Sequence, residues 1–163
     1  MDSAGALTMD DVKARIAAML AEFGGEAEAG IHAHQNLSLA VANTMVAFAE
    51  GATLADACLA GAGAGAGNCQ LEALVAVMDK AGMGTGIDLW TLEDIADQVV
   101  RPIMTTPPIV DRTTLTQGSP VCPAASCITR SAPPSGSAWT PATSWSRWAG
   151  GSPSAGRRTS SSR

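Results

Sequence analysis

Two histidines separated by one residue are the side chains of this sequence best placed to do chemistry. His32 and His34 end the short run AGIHAH, which lies between a glycine and a polar pair and is typical of a brief buried strand. Because side chains along a strand repeat every two residues, both imidazoles should point to the same side. Two neutral imidazoles can bind one divalent ion if a carboxylate or water completes the shell. The alternative is a pair of polar surface histidines at a loop entrance.

A glycine-rich loop, GAGAGAGN, follows the next apolar run. Its glycines, including Gly65 and Gly67, permit positive φ and bring backbone N–H groups close to an anion, so the loop is a candidate for metal or substrate contact. It also satisfies a loose G-x-G-x-x-A dinucleotide fingerprint. That fingerprint belongs in the first βαβ unit of a domain, whereas this loop closes the last βα unit. A flexible glycine turn without a ligand is the third interpretation.

Helical patterns surround these two segments. Thr8 and Asp11 resemble a capping signal and predict a helix over residues 9–23. Its apolar face would comprise Val12, Ile16, Met19, Leu20 and Phe23. A second helix is predicted within residues 37–51, ending at Gly51. Its apolar face would comprise Leu39, Val41, Met45, Val46 and Phe48.

The remaining elements complete an alternating order. LADACLA (54–60) predicts a second strand, CQLEALVAVMDKAG (69–82) a third helix, and TLEDIADQVV (91–100) a fourth helix capped by Thr91 with Asp94. Three prolines, Pro102, Pro107 and Pro108, should then end regular structure. Strands that alternate with helices predict parallel pairing and an α/β fold, either a doubly wound sheet or part of a barrel.

Composition excludes several classes of protein. Residues 1–116 contain all 15 acidic residues against five Lys and Arg, which gives no electrostatic footprint for nucleic acid. The start lacks a basic n-region and no apolar run reaches the roughly 20 residues that a bilayer requires, so we expect no membrane contact and a cytoplasmic protein. The four cysteines lack CxxC pairs and should be reduced thiols.

The histidine strand and glycine loop together resemble a known family. Its pattern appears in GIHAHQNLSLAVANTMVAFAEGATLADACLAGAGAGAGNCQLEALVAV. The stretch is similar to the HxH strand and following loop of the metal-dependent pyruvate aldolases and synthases that include isopropylmalate synthase and hydroxymethylglutaryl-CoA lyase. Within them it most resembles the 4-hydroxy-2-oxovalerate aldolases. The resemblance runs from about Thr8 to Thr116 and includes TLEDIADQVVRPIM and VDRTTLT.

The resemblance implies a (β/α)₈ TIM barrel of which this chain keeps the seventh and eighth strands. By the resemblance, His32 and His34 would be ligands of a divalent ion of manganese type. Asn68 matches the asparagine that lies at the metal site in the wider superfamily, although it could instead be a loop cap that satisfies local backbone. Gln35 stands where the aldolases usually carry another histidine and should point away from the HxH face.

The resemblance also implies an activity and a partner. In the family the ion acts as a Lewis acid on a small keto acid, and the products are pyruvate and an aldehyde, within meta-cleavage catabolism of aromatic compounds. The other metal ligand, an arginine and the histidine base come from the first barrel strand and its loop. This chain begins after them, so we expect it to be inactive alone. Relatives pair with an acylating acetaldehyde dehydrogenase through the region after the barrel. The alternative is a non-catalytic remnant that only binds such a dehydrogenase.

The last segment departs from the family. Where the family has a tyrosine-bearing segment, this chain continues with QGSPVCPAAS and contains no tyrosine. Tail codons rebuilt in a shifted frame give a string that resembles the family's own ending. We therefore expect a partial barrel over residues 1–88, the start of a helical partner-contact region over 89–116, and a frameshifted, disordered tail over 117–163. A genuine Ser/Pro-rich linker is the alternative for the tail.

Overall fold

The computed structural model describes Asp2 and residues 4–119. Two short strands, β1 (Gly30–His32) and β2 (Leu54–Asp56), pair in parallel with Gly30 opposite Leu54 and His32 opposite Asp56. Helix α2 (Ala40–Ala49) connects them, as parallel strands require a crossover. Helices and strands alternate along the chain, which confirms the α/β fold class. No helix in this described part is long and apolar enough to cross a membrane.

Helix α1 (Met9–Phe23) has the predicted bounds. Thr8 and Asp11 form a reciprocal capping box, in which each side chain accepts a hydrogen bond from the other residue's backbone N–H. Its buried face is narrower than predicted. Val12 and Ile16 pack against the alanines around β1 and the end of α2, whereas Met19 and Phe23 are exposed.

Helix α2 buries a different face from the one predicted. Its buried residues are Ala40, Asn43, Thr44 and Ala47. The larger apolar residues that we expected in the core are only half-buried. The physical reason is hydrogen bonding: Asn43 Nδ2 donates to the Leu7 carbonyl at 2.9 Å and Thr44 Oγ1 donates to the Ala40 carbonyl at 2.8 Å, so both polar groups are satisfied in the core. The predicted stop, Gly51, has φ +105° and follows the helix.

The later helices are α3 (Leu71–Lys80), α4 (Leu89–Ile95), α5 (Arg101–Ile103) and α6 (Arg112–Gly118), with a π-helical segment, Ala96–Val100, joining α4 to α5. The predicted cap of the fourth helix is wrong. Asp88 is the N-cap and its carboxylate accepts from the Thr91 N–H, so the helix begins two residues earlier than Thr91.

Pro102 does not end regular structure, contrary to prediction. It lies in the first turn of α5, where the ring's fixed φ is compatible with a helix. Residues 104–111, which contain Pro107 and Pro108, are non-helical as predicted. Helix α6 includes Gln117 and Gly118, so these two residues of the predicted disordered segment are helical. The rest of that prediction, from residue 120 onward, lies outside the described residues.

Candidate metal centre

The two histidines lie together where the strands end. His32 is the last residue of β1, and its imidazole ring centroid is 5.0 Å from that of His34, with the rings inclined by 74°. The two-residue spacing predicted this proximity. The predicted strand bounds were too long, because β1 ends at His32 and β2 ends at Asp56, while residues 59–61 form a 3₁₀ turn. Parallel strands bring these carboxyl ends to one edge.

His34 is paired with Asn68 from the glycine loop. The Gln35 N–H donates to the Gly67 carbonyl at 2.8 Å and the Cys69 N–H donates to the Ala33 carbonyl at 2.9 Å. These bonds flank an antiparallel bridge in which His34 and Asn68 lie opposite each other. Residues opposite each other in such a pair have Cα atoms about 4.5 Å apart and side chains on one face. The bridge explains why β1 ends early, since the chain leaves the parallel sheet to make it.

The Asn68 side chain combines the two roles that the sequence left open. Its Nδ2 donates to the Ala62 carbonyl at 3.0 Å and to Cys58 Sγ at 3.2 Å, which is the loop-capping role. Its Oδ1 is buried and has no hydrogen-bond partner among the described residues. A buried carbonyl oxygen without a partner is costly and unusual. Together with two imidazoles, this oxygen fits the coordination shell of a divalent cation.

Asp56 is a residue of this site that sequence reasoning missed. Its Oδ2 lies 3.5 Å from His32 Nδ1, because the two residues are in register across the sheet. The distance exceeds that of an ordinary hydrogen bond, and the carboxylate is largely exposed. A carboxylate beside one ring nitrogen commonly orients a histidine so that the other nitrogen can bind metal. The detectable signal was the acidic residue at the end of the LAD strand.

Few charged side chains of the described residues lie close enough together to bind a metal ion. Among residues 4–119 and Asp2, no three His, Cys, Asp or Glu side chains form a group that could hold a metal ion. The candidate donors are the two imidazoles and the amide oxygen of Asn68, which is paired with His34 in the bridge. Gln35 does not join them, since its Oε1 accepts from the Ala40 N–H at 2.9 Å at the start of α2. This agrees with the prediction that Gln35 points away from the HxH face.

The glycine loop is a packed turn. Gly65 has φ +65°, and a Cβ there would lie 2.7 Å from Asn36 Oδ1; at Gly67, φ is +92° and a Cβ would overlap the Gly61 carbonyl oxygen. Both positions therefore require glycine. Amides that already donate to protein acceptors belong to Gly61, Ala62, Ala66, Gly67 and Asn68. These five amides are not free to bind an anion, and the loop places Asn68 opposite His34.

A cavity of about 490 Å³ adjoins His32. Its lining is mainly apolar, with the polar side chains of Asp2, Arg15, His32 and Asp56 among its walls. Asp2 is buried, and its Oδ1 accepts from the Ala6 and Leu7 N–H groups, which holds the loop before α1 in place. An apolar cavity with a few polar groups at its wall is the usual form of a small-molecule site.

Sequence comparison decides the family. The sequence model of the HMGL-like family matches residues 1–99. The chain belongs to the HMGL-like family. Members of this family are metal-dependent lyases in general. Known proteins give a more detailed likeness. Over 117 residues the chain is 50% identical to a 4-hydroxy-2-oxovalerate aldolase of Acidovorax sp. (strain JS42), a match that covers 72% of this chain and 34% of the relative.

Further matches agree with that family. A 4-hydroxy-2-oxovalerate aldolase of Nocardia farcinica (strain IFM 10152) is 49% identical over 118 residues, 72% of this chain and 34% of the relative. The chain thus spans about a third of the length of these curated relatives. The crystal structure of an N-terminal domain from Bacteroides vulgatus superposes with a TM-score of 0.61 at 23% identity, covering 77% of this chain and 41% of that one. That superposition supports the fold alone.

Proposed function

We propose that this chain forms the seventh and eighth strands of a (β/α)₈ barrel in an aldolase that cleaves 4-hydroxy-2-oxovalerate to pyruvate and acetaldehyde. The observation that carries the proposal is the pairing of His34 with Asn68 beside His32. It occurs in a chain about 50% identical to 4-hydroxy-2-oxovalerate aldolases. Barrel enzymes carry their chemistry at the carboxyl ends of strands, which is where these three side chains lie.

The divalent ion of this proposal is Mn²⁺. His32 and His34 would hold it through ring nitrogens, and Asn68 through Oδ1, which has no hydrogen-bond partner among the described residues. When bound, the ion supplies Lewis acidity toward the carbonyl and carboxylate oxygens of the keto acid. The protein's own contributions are to orient the His32 ring through Asp56, to fix Asn68 through the glycine loop, and to receive the apolar part of the substrate in the adjoining cavity.

A chimera tests the activity. Residues 1–118 of this chain would replace the matching segment of the Acidovorax enzyme, and pyruvate release from 4-hydroxy-2-oxovalerate would be measured with Mn²⁺. We expect activity in the chimera and its loss in His32→Ala and His34→Ala versions. The control is Glu26→Gln, which changes an exposed residue between α1 and β1. A folded chimera without activity, or full activity after both histidines are removed, would overturn the proposal.

We also propose that α4, the π-helical segment and α5 form the contact with an acylating acetaldehyde dehydrogenase. Trp90, Val99 and Ile103 are exposed within this segment by 75%, 56% and 76%, and a contiguous surface of large apolar side chains would be typical of a protein interface. Co-purification of the full chain with that dehydrogenase should weaken after Trp90→Ser and Ile103→Ser together. Retained co-purification would contradict this assignment. Binding without any turnover in the chimera would favour the alternative, a non-catalytic remnant.

The setting we propose is the cytoplasm, in the catabolism of aromatic compounds. Cys58 and Cys69 form no disulfide within the described residues, as expected in a reducing compartment, and the proposed pathway rests on relatives named 4-hydroxy-2-oxovalerate aldolase. Fractionation of cells that express the chain from its own gene locates it directly. Recovery outside the cytoplasmic fraction would contradict the proposal.

A further inference from the structure

A second polar cluster begins just after Asn68 in the sequence, at the start of α3. It lines a cavity of about 180 Å³ and consists of Gln70, Glu72, Glu93, Asp97 and Arg101. Glu72, in the first turn of α3, is buried with 6% exposure, whereas the side chains of Asp97 and Arg101 are 70% and 49% exposed. A buried carboxylate needs partners, because it has lost its water. The contacts of Glu72 therefore indicate its structural role.

Glu72 is bonded to a turn on one side and lies near a cation on the other. Both carboxylate oxygens accept from the Ala60 N–H, at 3.0 and 3.1 Å. Gln70 Nε2 donates to Oε1 at 3.4 Å. Arg101 Nη2 lies 4.0 Å from Oε1, while Arg101 Nε donates to Asp97 at 2.6 Å. Glu72 thus lies between residues 58–62, called here the 58–62 turn, to which it is hydrogen-bonded, and Arg101 at the start of α5.

The 58–62 turn needs such support. Ala60 has φ +53° and ψ 17°, a left-handed conformation that alanine disfavours. Residues held in this region persist where surrounding contacts determine them. The buried hydrogen bonds from Ala60 N–H to Glu72 are contacts of this kind, and Ala60 itself is buried.

Asn68 is held by the same turn. Its backbone N–H donates to the Gly61 carbonyl at 3.1 Å. Its side-chain Nδ2 donates to the Ala62 carbonyl and to Cys58 Sγ. A shift of the turn would therefore move the acceptors of Asn68 Nδ2, and with them the orientation of the whole amide, including Oδ1.

We infer that Glu72 is a positioning residue for Asn68, acting through the 58–62 turn, and that Arg101 links this position to the helical segment after α3. The functional meaning of the inference rests on the proposed role of Asn68 as a metal ligand. Its structural part does not, because it concerns the orientation of one amide without metal.

Asparagine labelling tests the inference in the full chain. The sequence contains three asparagines, Asn36, Asn43 and Asn68, and each donates a side-chain hydrogen bond to a different carbonyl. With ¹⁵N in the side-chain amides, NMR of the metal-free chain should show three NH₂ pairs. We expect Glu72→Ala to shift the Asn68 pair by more than its linewidth and to leave the Asn43 pair in place, with a smaller shift of the Asn36 pair, whose Oδ1 accepts from the Ala66 N–H in the same loop.

Two further variants separate positioning from general stability. Glu72→Gln keeps an oxygen for the Ala60 N–H, so it should restore the Asn68 pair close to its native position. Arg101→Gln should shift the Asn68 pair in the same direction as Glu72→Ala but less, whereas the exposed Arg112→Gln control should not. If Glu72→Ala does not fold, Arg101→Gln, which alters a half-exposed side chain, decides the question.

An unmoved Asn68 pair in the deciding variant, or equal shifts of all three pairs, overturns the inference. Addition of Mn²⁺ to the native chain tests the proposed function separately, since paramagnetic broadening of the Asn68 pair is expected. Absence of broadening contradicts the metal site, while the metal-free comparison still tests the role of Glu72.

Discussion

His34 and Asn68 lie opposite each other in an antiparallel bridge, although one follows β1 and the other follows the 58–62 turn after β2. Hydrogen bonds from Gln35 to Gly67 and from Cys69 to Ala33 hold the bridge on both sides. The bridge brings the side chains of His34 and Asn68 to one face, and the His34 ring lies beside that of His32. The Asn68 amide oxygen is buried without a hydrogen-bond partner in the described part of the chain. The site therefore depends on tertiary pairing between two βα units.

Substitution of Asn68 should separate its two roles. Asn68→Ala removes the donor to Ala62 and the free oxygen, so it should lower the free energy of unfolding by about 1–3 kcal/mol and weaken Mn²⁺ binding. Asn68→Asp keeps an oxygen but loses the Nδ2 donor, so it should destabilise the metal-free chain while retaining Mn²⁺ binding. Urea unfolding and calorimetric titration measure the two effects. Equal loss of binding in both variants would contradict the ligand role of Oδ1.

Removal of the carboxylate beside His32 should affect metal binding without removing a ligand. Asp56→Asn should weaken Mn²⁺ binding by roughly 10–100-fold, as is typical when an orienting partner of a ligand histidine is lost. Asp56 is largely exposed, so stability should change little. Titration of the variant with Mn²⁺ provides the check, with Glu26→Gln as control. Unchanged affinity would show that Asp56 does not orient His32.

Two glycines with positive φ allow a matched test of the loop's packing. Gly67→Ala places a Cβ against the Gly61 carbonyl and the Pro108 side chain, whereas Gly82→Ala, at φ +76°, meets nothing within 4 Å. Gly82→Ala should cost only the left-handed backbone term of about 1–2 kcal/mol. Gly67→Ala should cost clearly more by urea unfolding. Equal costs would mean that the loop is loosely packed.

Three capping aspartates should make stability fall in acid. A hydrogen bond from the Thr8 hydroxyl lowers the pKa of Asp11, one from the Thr91 hydroxyl lowers the pKa of Asp88, and the Thr114 backbone N–H lowers the pKa of Asp111. Each of these carboxyls has a folded-state pKa below the ordinary 3.8. The stabilisation of the folded chain by the ionised carboxylates is therefore complete above pH 3.8 and is lost as the pH falls through the folded-state pKa.

Thermal unfolding between pH 7 and pH 2 measures this loss. The triple Asp→Asn variant at these three caps should be less stable than the native chain at pH 7, and its melting temperature should depend less on pH below 4. Glu26→Gln, which changes an exposed carboxylate outside these caps, is the control. An identical acid dependence in the native chain and the triple variant would refute the capping account.

Local signals predicted part of this fold. The start of α1 follows from a capping box within four residues, Thr8 and Asp11, and its end from the glycines that follow Phe23. The buried face of α2 did not follow, because Asn43 is satisfied in the core by the distant Leu7 carbonyl. The ends of the strands were also missed, since the chain leaves β1 to pair His34 with Asn68, a contact that no local period encodes.

The candidate site divides in the same way. The two-residue spacing of a strand was enough to predict that His32 and His34 lie close together. Asn68 was identified only through the family resemblance. Asp56 and Glu72 were missed because their meaning depends on strand register and on the distant Ala60 N–H. Such partners are set by tertiary structure, whereas the spacing of HxH is written in adjacent residues.

Pulsed EPR of Mn²⁺ added to the full chain tests the central claim most directly. The chain contains two histidines, so uniform ¹⁵N-histidine labelling marks His32 and His34 alone. The account predicts nitrogen modulation from coordinated imidazole, a change in that modulation on ¹⁵N substitution, and its loss in the His32→Ala, His34→Ala double variant. Bound Mn²⁺ without imidazole modulation, or the same signal in the double variant, would contradict a metal centre at these residues.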